Sequence, residues 1–271
     1  MPNNKKAIEV FGQPVDSINI DRILKSKYTC PFINKECTKQ SRTISYPMGV
    51  CCVHFQNSEI IICPERFKEN EMVFKNIANQ FFETTDNTIV FNEVKLKNFG
   101  SFDFVLVKHK PLSAKIEDFI IIEFQSDSTT GTGKLVNNLK DILARKELKE
   151  SYAFGMNTYN TIKLSFVQML MKGQVAEHWD KNIIWVMQDF IFSNMVNRFH
   201  LSRRSFDNQK RNHFFLYSLK RLKDRFSLEP DSKYSYTIPE LKRAFENEHL
   251  PKLEDFIKVL ENKVRLKLEI K

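Results

Sequence analysis

Glycine is scarce in this chain, and several familiar chemistries are missing with it. Seven glycines in 271 residues leave no G-x-G-x-x-G dinucleotide fingerprint. The one stretch that looks like a phosphate loop, Thr130-Gly-Thr-Gly-Lys134, lacks the first glycine and has Leu135 where Ser or Thr should stand. A Gly-x-Ser-x-Gly elbow and an HExxH helix are also absent, which removes the commonest hydrolase and zinc-protease readings. Apolar runs are short. Phe119-Ile-Ile-Ile122 is far below the length that spans a bilayer. The N-terminal MPNNKKAIEVFG has two lysines but no apolar stretch after them, so it is no secretory signal. A cytoplasmic protein with reduced thiols is expected. No internal repeat or low-complexity linker is present.

Phenylalanine, by contrast, is abundant. Twenty-four phenylalanines, 42% hydrophobic and 28% charged residues describe a globular chain with an aromatic core. A net charge of +9 points to an anionic partner: nucleic acid, an acidic protein or an anionic membrane surface.

All five cysteines fall between Cys30 and Cys63, in a proline-bearing stretch with little helical periodicity. Residues 1–68 therefore read as a small, loop-rich module that could bury little core without help, and 69–271 as the main domain. Met72, Phe74, Ile77, Phe81 and Phe82 recur at helical spacing within Asn70–Glu83. Three strands follow at 88–91, 102–107 and 118–125, then a polar loop over 126–133 and a helix over 134–148. A further helix over 159–171 and an apolar strand over 181–187 complete the alternation, with helical, basic sequence beyond. Strands alternating with helices predict an α/β fold with a central mixed β-sheet flanked by helices.

Two constellations carry chemistry. Asp103 opens one strand, and Glu123 and Gln125 end the next at i, i+2, which places both on one strand face with Ile122 and Phe124 on the other. Polar side chains ending so apolar a strand are costly without a task. Carboxylates from neighbouring strands supply the oxygen ligands that Mg2+ prefers, and Glu93 lies just upstream. Cys30, Cys37, Cys51 and Cys63 are separated by six, thirteen and eleven residues. That is not zinc-ribbon spacing, but four thiolates suit zinc or iron. Adjacent Cys51 and Cys52 leave open which of the two is the ligand.

Glu93, Asp103, Glu123 and Gln125, in this order, resemble the PD-(D/E)XK nuclease superfamily in the variant with glutamine in place of lysine. The cysteine segment (Cys30-Pro-Phe32, Gly49-Val-Cys51-Cys-Val53, Ile62-Cys-Pro-Glu-Arg-Phe67), the Glu123-Phe-Gln-Ser-Asp-Ser-Thr-Thr-Gly131 stretch and Trp185-Val-Met-Gln-Asp189 resemble NotI-type restriction endonucleases. That resemblance covers about Tyr28 to Asp189. It implies a prokaryotic type II enzyme that cuts double-stranded DNA at a specific, palindromic site. Asp103 and Glu123 would hold Mg2+, with Glu93 an accessory ligand. Gln125 would position the attacking water, because a neutral amide is no general base. Cys30, Cys37, Cys51 and Cys63 would hold a structural iron or zinc. A homodimer and a companion DNA methyltransferase acting on the same site are implied partners.

Nine Arg and Lys against two Asp lie between Arg198 and Arg225. Arg203, Arg204, Lys210 and Arg211 are the expected DNA contacts, with Lys35, Lys39 and Arg42 as further candidates if the cysteine module reaches the duplex. Two other readings compete: a repair or structure-specific nuclease of the same fold, and a DNA-binding regulator whose carboxylates are inert.

Overall fold

A computed structural model of the chain describes residues 4–246 and 252–269. Its N-terminal part is a small antiparallel sheet. Strand β1 (Lys6–Val10) pairs with Gln13–Pro14 on one side. After helix α1 (Ile20–Lys25), it pairs on the other side with β2 (Val50–Phe55), which in turn pairs with β3 (Ser58–Ile61). The two-residue turn between β2 and β3, Gln56–Asn57, has both φ angles positive (49° and 63°), the backbone that matches the twist of a hairpin. Gly49, at φ +56°, has no room for a Cβ against the ring of Phe11, so this turn into β2 requires glycine.

Val10, Val50, Val53 and Ile60 are wholly buried here. Their core is completed from outside the segment, by Leu135, Val136, Leu139 and Ile142. The Asn138 side chain also accepts a hydrogen bond from the Ala7 backbone at 2.6 Å. The segment thus brings most of its own core, and a later helix closes it.

The main body follows in the order α2 (Met72–Phe82), β4 (Thr88–Leu96), β5 (Gly100–His109), β6 (Ile116–Gln125), α3 (Thr132–Leu143) and α4 (Thr158–His178). Then come β7 (Ile183–Met187), α5 (Asp189–Phe199), β8 (Asn212–Arg221), β9 (Phe226–Tyr236), α6 (Ile238–Phe245) and α7 (Leu253–Glu269). Six strands form one sheet in the order β9-β8-β7-β6-β5-β4. The three central strands β6, β7 and β8 run parallel, and the remaining neighbours are antiparallel. This is the mixed α/β sheet flanked by helices that the alternating pattern predicts.

Period-2 alternation sorts the side chains of the buried strands. Ile121, Ile183, Trp185, Met187, Phe214 and Leu216 pack under α4, α5 and α6. Ile120, Ile122, Phe124, Ile184, Val186, Phe215 and Tyr217 face the other way, against α2 and Phe67. By this parity Glu123 belongs to the α4 face.

The basic C-terminal stretch departs from the helical expectation. Residues 212–221 and 226–236 are strands β8 and β9, paired antiparallel. The physical reason is visible afterwards in Asn-His-Phe-Phe-Leu-Tyr217, a wholly buried run whose flanking charges hide its strand character. Helix α4 is also longer than 159–171, and the additional turns contain Lys172.

Candidate active site

Strands β5 and β6 end their regular ladder at Phe104↔Ile122. Continued by one residue, that register sets Asp103 opposite Glu123. Their side chains take over the ladder's hydrogen bonding: Glu123 Oε1 accepts from the Asp103 backbone N–H at 3.4 Å, and Asp103 Oδ2 accepts from the Phe124 N–H at 3.1 Å. On the other side of β5, the β4 register flanks the same position with Asn92↔Phe104 and Val94↔Phe102, which sets Glu93 opposite Asp103. Glu93 has φ +50°, a left-handed kink inside a strand that only a specific local arrangement sustains. Glu93, Asp103 and Glu123 therefore form a row across three neighbouring strands.

The electrostatics of the row are unfavourable without a cation. Burial raises the Glu123 carboxyl, the Asp103 charge raises it further, and Lys172 opposes both; the result is a group pushed up to about 7. Burial also raises Asp103, with the Phe124 N–H and Lys172 lowering it and Glu93 raising it. Asp103 and Glu93 open onto a cleft of about 820 Å³, walled also by Phe124 and Lys68 and, from the cysteine segment, by Phe32 and Lys35. Two of the carboxylates and the segment that carries the cysteines thus border one cleft, while Glu123 and the thiols lie behind its wall.

Helix α4 fixes the end of β6 and the residues that follow it. Its Thr158 and Thr161 hydroxyls donate to the two carboxylate oxygens of Asp127, at 2.5 and 2.9 Å. Ser165 Oγ donates to Gln125 Oε1 at 2.6 Å, and Gln125 Nε2 donates to Gln168 at 3.4 Å. Lys172 Nζ lies 2.6 Å from Glu123 Oε2. Residues 161, 165, 168 and 172 are one helical stripe, and 123, 125 and 127 are alternate positions along the chain. They interlock as a polar zipper beside the apolar contacts of Ile162, Phe166 and Met169. Gly173 seats the helix: a Cβ there would collide with the Asn212 side chain.

Sequence reasoning did not find Lys172, Ser165 or Thr161. The available signal was the polar recurrence at i, i+4, i+7, i+11 within an otherwise apolar helix. Asp127 and Gln188, which lie in the sequence motifs, have joining roles here. Gln188 Oε1 accepts from Ile61 N–H at 2.5 Å and the Asp127 N–H donates to Ile61 O at 3.2 Å, so both tie the small sheet to the large one.

All five cysteines are free and buried. Burial pushes the Cys30 thiol up to about 11 and raises Cys51 and Cys63 as well. Cys30 interacts electrostatically with Cys37 and Cys63, and Cys51 with Cys63 and Cys30. Cys30 and Cys37 pack in the core of the small sheet, and Cys51 and Cys52 in the adjoining core of the large one. The Cys52 Sγ donates to Glu9 Oε2 at 3.1 Å. Lys39, one of the candidate DNA contacts, turns inward among the thiols and donates to the carbonyls of Ile62 (2.7 Å) and Val50 (3.3 Å).

Among the described residues no three His, Cys, Asp or Glu side chains converge closely enough to enclose a metal ion. The donor chemistry fits nonetheless. Mg2+ needs only one or two carboxylates and keeps water for the rest, which Asp103 and Glu123 supply. Cysteine thiols, once ionised, are ligands that zinc or iron prefers.

The four expected DNA contacts are each paired within the chain: Arg203 with Asp189 (2.9 Å), Arg204 with Glu240 (2.8 Å), Lys210 with Glu240 (2.9 Å) and Arg211 with Asp180 (2.7 Å). Among the described residues no helix is long and apolar enough to cross a membrane.

No protein of curated function matches the chain. The family model described as restriction endonuclease NotI matches residues 10–228, a span that holds the cysteine segment, the carboxylate row, the α4 zipper and all of β8. The chain belongs to the NotI restriction endonuclease family, which makes it a type II restriction endonuclease acting on DNA.

Proposed function

We propose that the chain hydrolyses phosphodiester bonds of double-stranded DNA at a specific, palindromic site in a Mg2+-dependent reaction, on a PD-(D/E)XK core. Asp103 and Glu123 are the Mg2+ ligands, with Glu93 an accessory one. When bound, the ion supplies Lewis-acid stabilisation of the charge that develops on the phosphodiester. Gln125, its amide held by Ser165 and Gln168, orients the attacking water and takes no proton from it. One observation carries this reading: Asp103 and Glu123 face each other across adjacent strands, Glu123 accepting from the Asp103 N–H and Asp103 from the Phe124 N–H, and Asp103 opens onto a cleft.

Cys30, Cys37, Cys51 and Cys63 hold a structural iron or zinc, since four thiolates leave no open coordination position. The cleft residues Phe32 and Lys35 lie in the loop between the first two of these ligands. The metal thereby holds a wall of the DNA cleft in place. Arg203, Arg204, Lys210 and Arg211 exchange carboxylate partners for phosphates on binding DNA. Cleavage of both strands of a palindrome calls for a two-fold homodimer, and protection of the host's own sites calls for a companion methyltransferase of the same specificity.

The test is incubation of the purified chain with phage-sized DNA and Mg2+, resolved on a gel. Discrete fragments are expected, and their ends give the site. Cutting confined to branched or damaged DNA would instead indicate a repair nuclease. Specific binding with no cutting in Mg2+ or Mn2+ would indicate a regulator.

A further inference from the structure

The strand motif of this chain has a gap. A lysine two residues beyond the strand glutamate would set a positive charge beside the two carboxylates, and Gln125 brings none. Yet the site is not without a cation. Lys172 reaches in from α4, its side chain 13% exposed and its Nζ 2.6 Å from Glu123 Oε2. It also lies 5.8 Å from the centre of the Phe102 ring. Among the described residues Glu123 is the one hydrogen-bond acceptor recorded for this ammonium.

We propose that Lys172 supplies from helix α4 the positive charge that the strand lacks at Gln125, and that it is a positioning residue for Glu123. This rests on the nuclease reading of the site. The geometry makes the placement specific, because Lys172 is the last rung of the zipper. Asp127 anchors the start of α4 through Thr158 and Thr161, Ser165 and Gln168 grip Gln125, and the next position on the same helical stripe falls at Glu123. Slipping the helix by one residue would rotate that stripe by about 100° and break every rung.

Charge counting gives the function. Glu93, Asp103 and Glu123 bring three negative charges, and Lys172 reduces them to two. A divalent cation then neutralises the site, so that a phosphodiester is not repelled. Without Lys172 the metal-loaded site would stay negative and repel the phosphodiester, while the emptier, more negative metal-free site attracts cations more strongly.

The proposal is tested with Lys172→Met, Lys172→Arg and the relocated pair Gln125→Lys/Lys172→Met in the full chain. The substrate is a duplex carrying the cut site read from wild-type fragments. Lys172→Met is expected to lower kcat about 100-fold with KM changed less than about threefold. Lys172→Arg should keep activity within about tenfold of wild type, and the relocated pair should recover at least about tenfold over Lys172→Met. A second readout needs no turnover. Calorimetric titration with Ca2+ should show about tenfold tighter binding to Lys172→Met than to wild type, since a competing cation has gone. Mere loss of structure would weaken that binding.

Cutting by Lys172→Met within threefold of wild type would overturn the proposal alone. Lost cutting with weaker Ca2+ binding and no recovery in the relocated pair would make Lys172 a structural staple and overturn it too. If Lys172→Met does not fold, Lys172→Arg and Lys172→Gln decide: the arginine variant should stay within about tenfold of wild type and the glutamine variant fall about 100-fold, and equal activity of the two would overturn the proposal. A wild-type chain that cuts nothing in Mg2+ or Mn2+ would remove the nuclease reading and this proposal together.

Discussion

Glu9 and Glu123 are both 1% exposed, both raised by burial and both bonded to a cation, yet their surroundings differ. Glu9 sits in a closed cluster. Arg66 donates to it at 3.0 Å and to Glu69 at 2.9 Å, Cys52 donates at 3.1 Å, and Phe32 covers the guanidinium at 4.7 Å. Arg66 is itself wholly buried. Every charge there is held by a planar, multidentate donor deep in the protein, as a structural staple requires. Glu123 accepts from a single flexible ammonium and, at 3.4 Å, from the Asp103 N–H, and the carboxylate opposite it, Asp103, opens onto a cleft. A buried carboxylate held by a guanidinium in a closed cluster stabilises the fold, whereas one set against a second carboxylate that opens onto a cleft is suited to help bind a cation.

That contrast is breakable at several points. The largest expected effect is on Asp103→Asn: cleavage should fall by at least about 10³-fold while folding and DNA binding persist, as measured by plasmid cleavage, thermal melting and gel shift. Loss of folding would move Asp103 into the structural group with Glu9.

Cysteine variants sharpen the division around Cys52. One iron or zinc per chain is expected by elemental analysis, lost in Cys63→Ser and retained in Cys52→Ser. Equal retention in both variants would place the metal elsewhere or nowhere. Next, Arg66→Met leaves Glu9 buried without its partner and should cost about 3–5 kcal/mol of stability in urea titration. Its cleavage per folded molecule should match wild type, and a selective loss of activity would erase the distinction.

The smallest effect concerns a third buried group with no opposite charge bonded to it. His213 contacts Ser235 Oγ at 2.8 Å and Asn182 Oδ1 at 3.1 Å, and burial, with Arg211 adding repulsion, pushes it down to about 4. A folded-state value below the ordinary 6.5 means that this stabilisation is present above pH 6.5 and is lost as pH falls through 6.5 towards 4. The loss amounts to about 3 kcal/mol at most. In His213→Gln the stability curve over that window should flatten, and an unchanged slope would refute the assignment.

Much of the molecule was legible in advance because its signals are local. Strand β6 is a run of β-branched and aromatic residues with polar side chains at alternate positions near its end, so its identity and the shared face of Glu123 and Gln125 follow from period 2 alone. Helix α2 follows from period 3.6. The strands β8 and β9 were harder to read. The first six residues of β8 are buried on both faces, which erases the alternation, Pro230 and Asp231 interrupt β9, and the arginines and lysines around both resemble a solvated helix. The small N-terminal sheet was hidden for another reason: its core is closed by residues of α3, far along the chain.

By itself, then, the sequence determined the α/β class, the carboxylates that end the strands, and a cluster of thiols in one short segment, because periodicity and residue chemistry are properties of neighbours in the chain. Only the tertiary structure decided that Glu93 and Asp103 lie opposite each other, that the cysteine segment walls the same cleft, that Cys52 serves Glu9, and that Lys172 reaches Glu123 from 49 residues away. Register between strands and the seating of a helix on a sheet are set by packing across the whole core, and no local pattern encodes them.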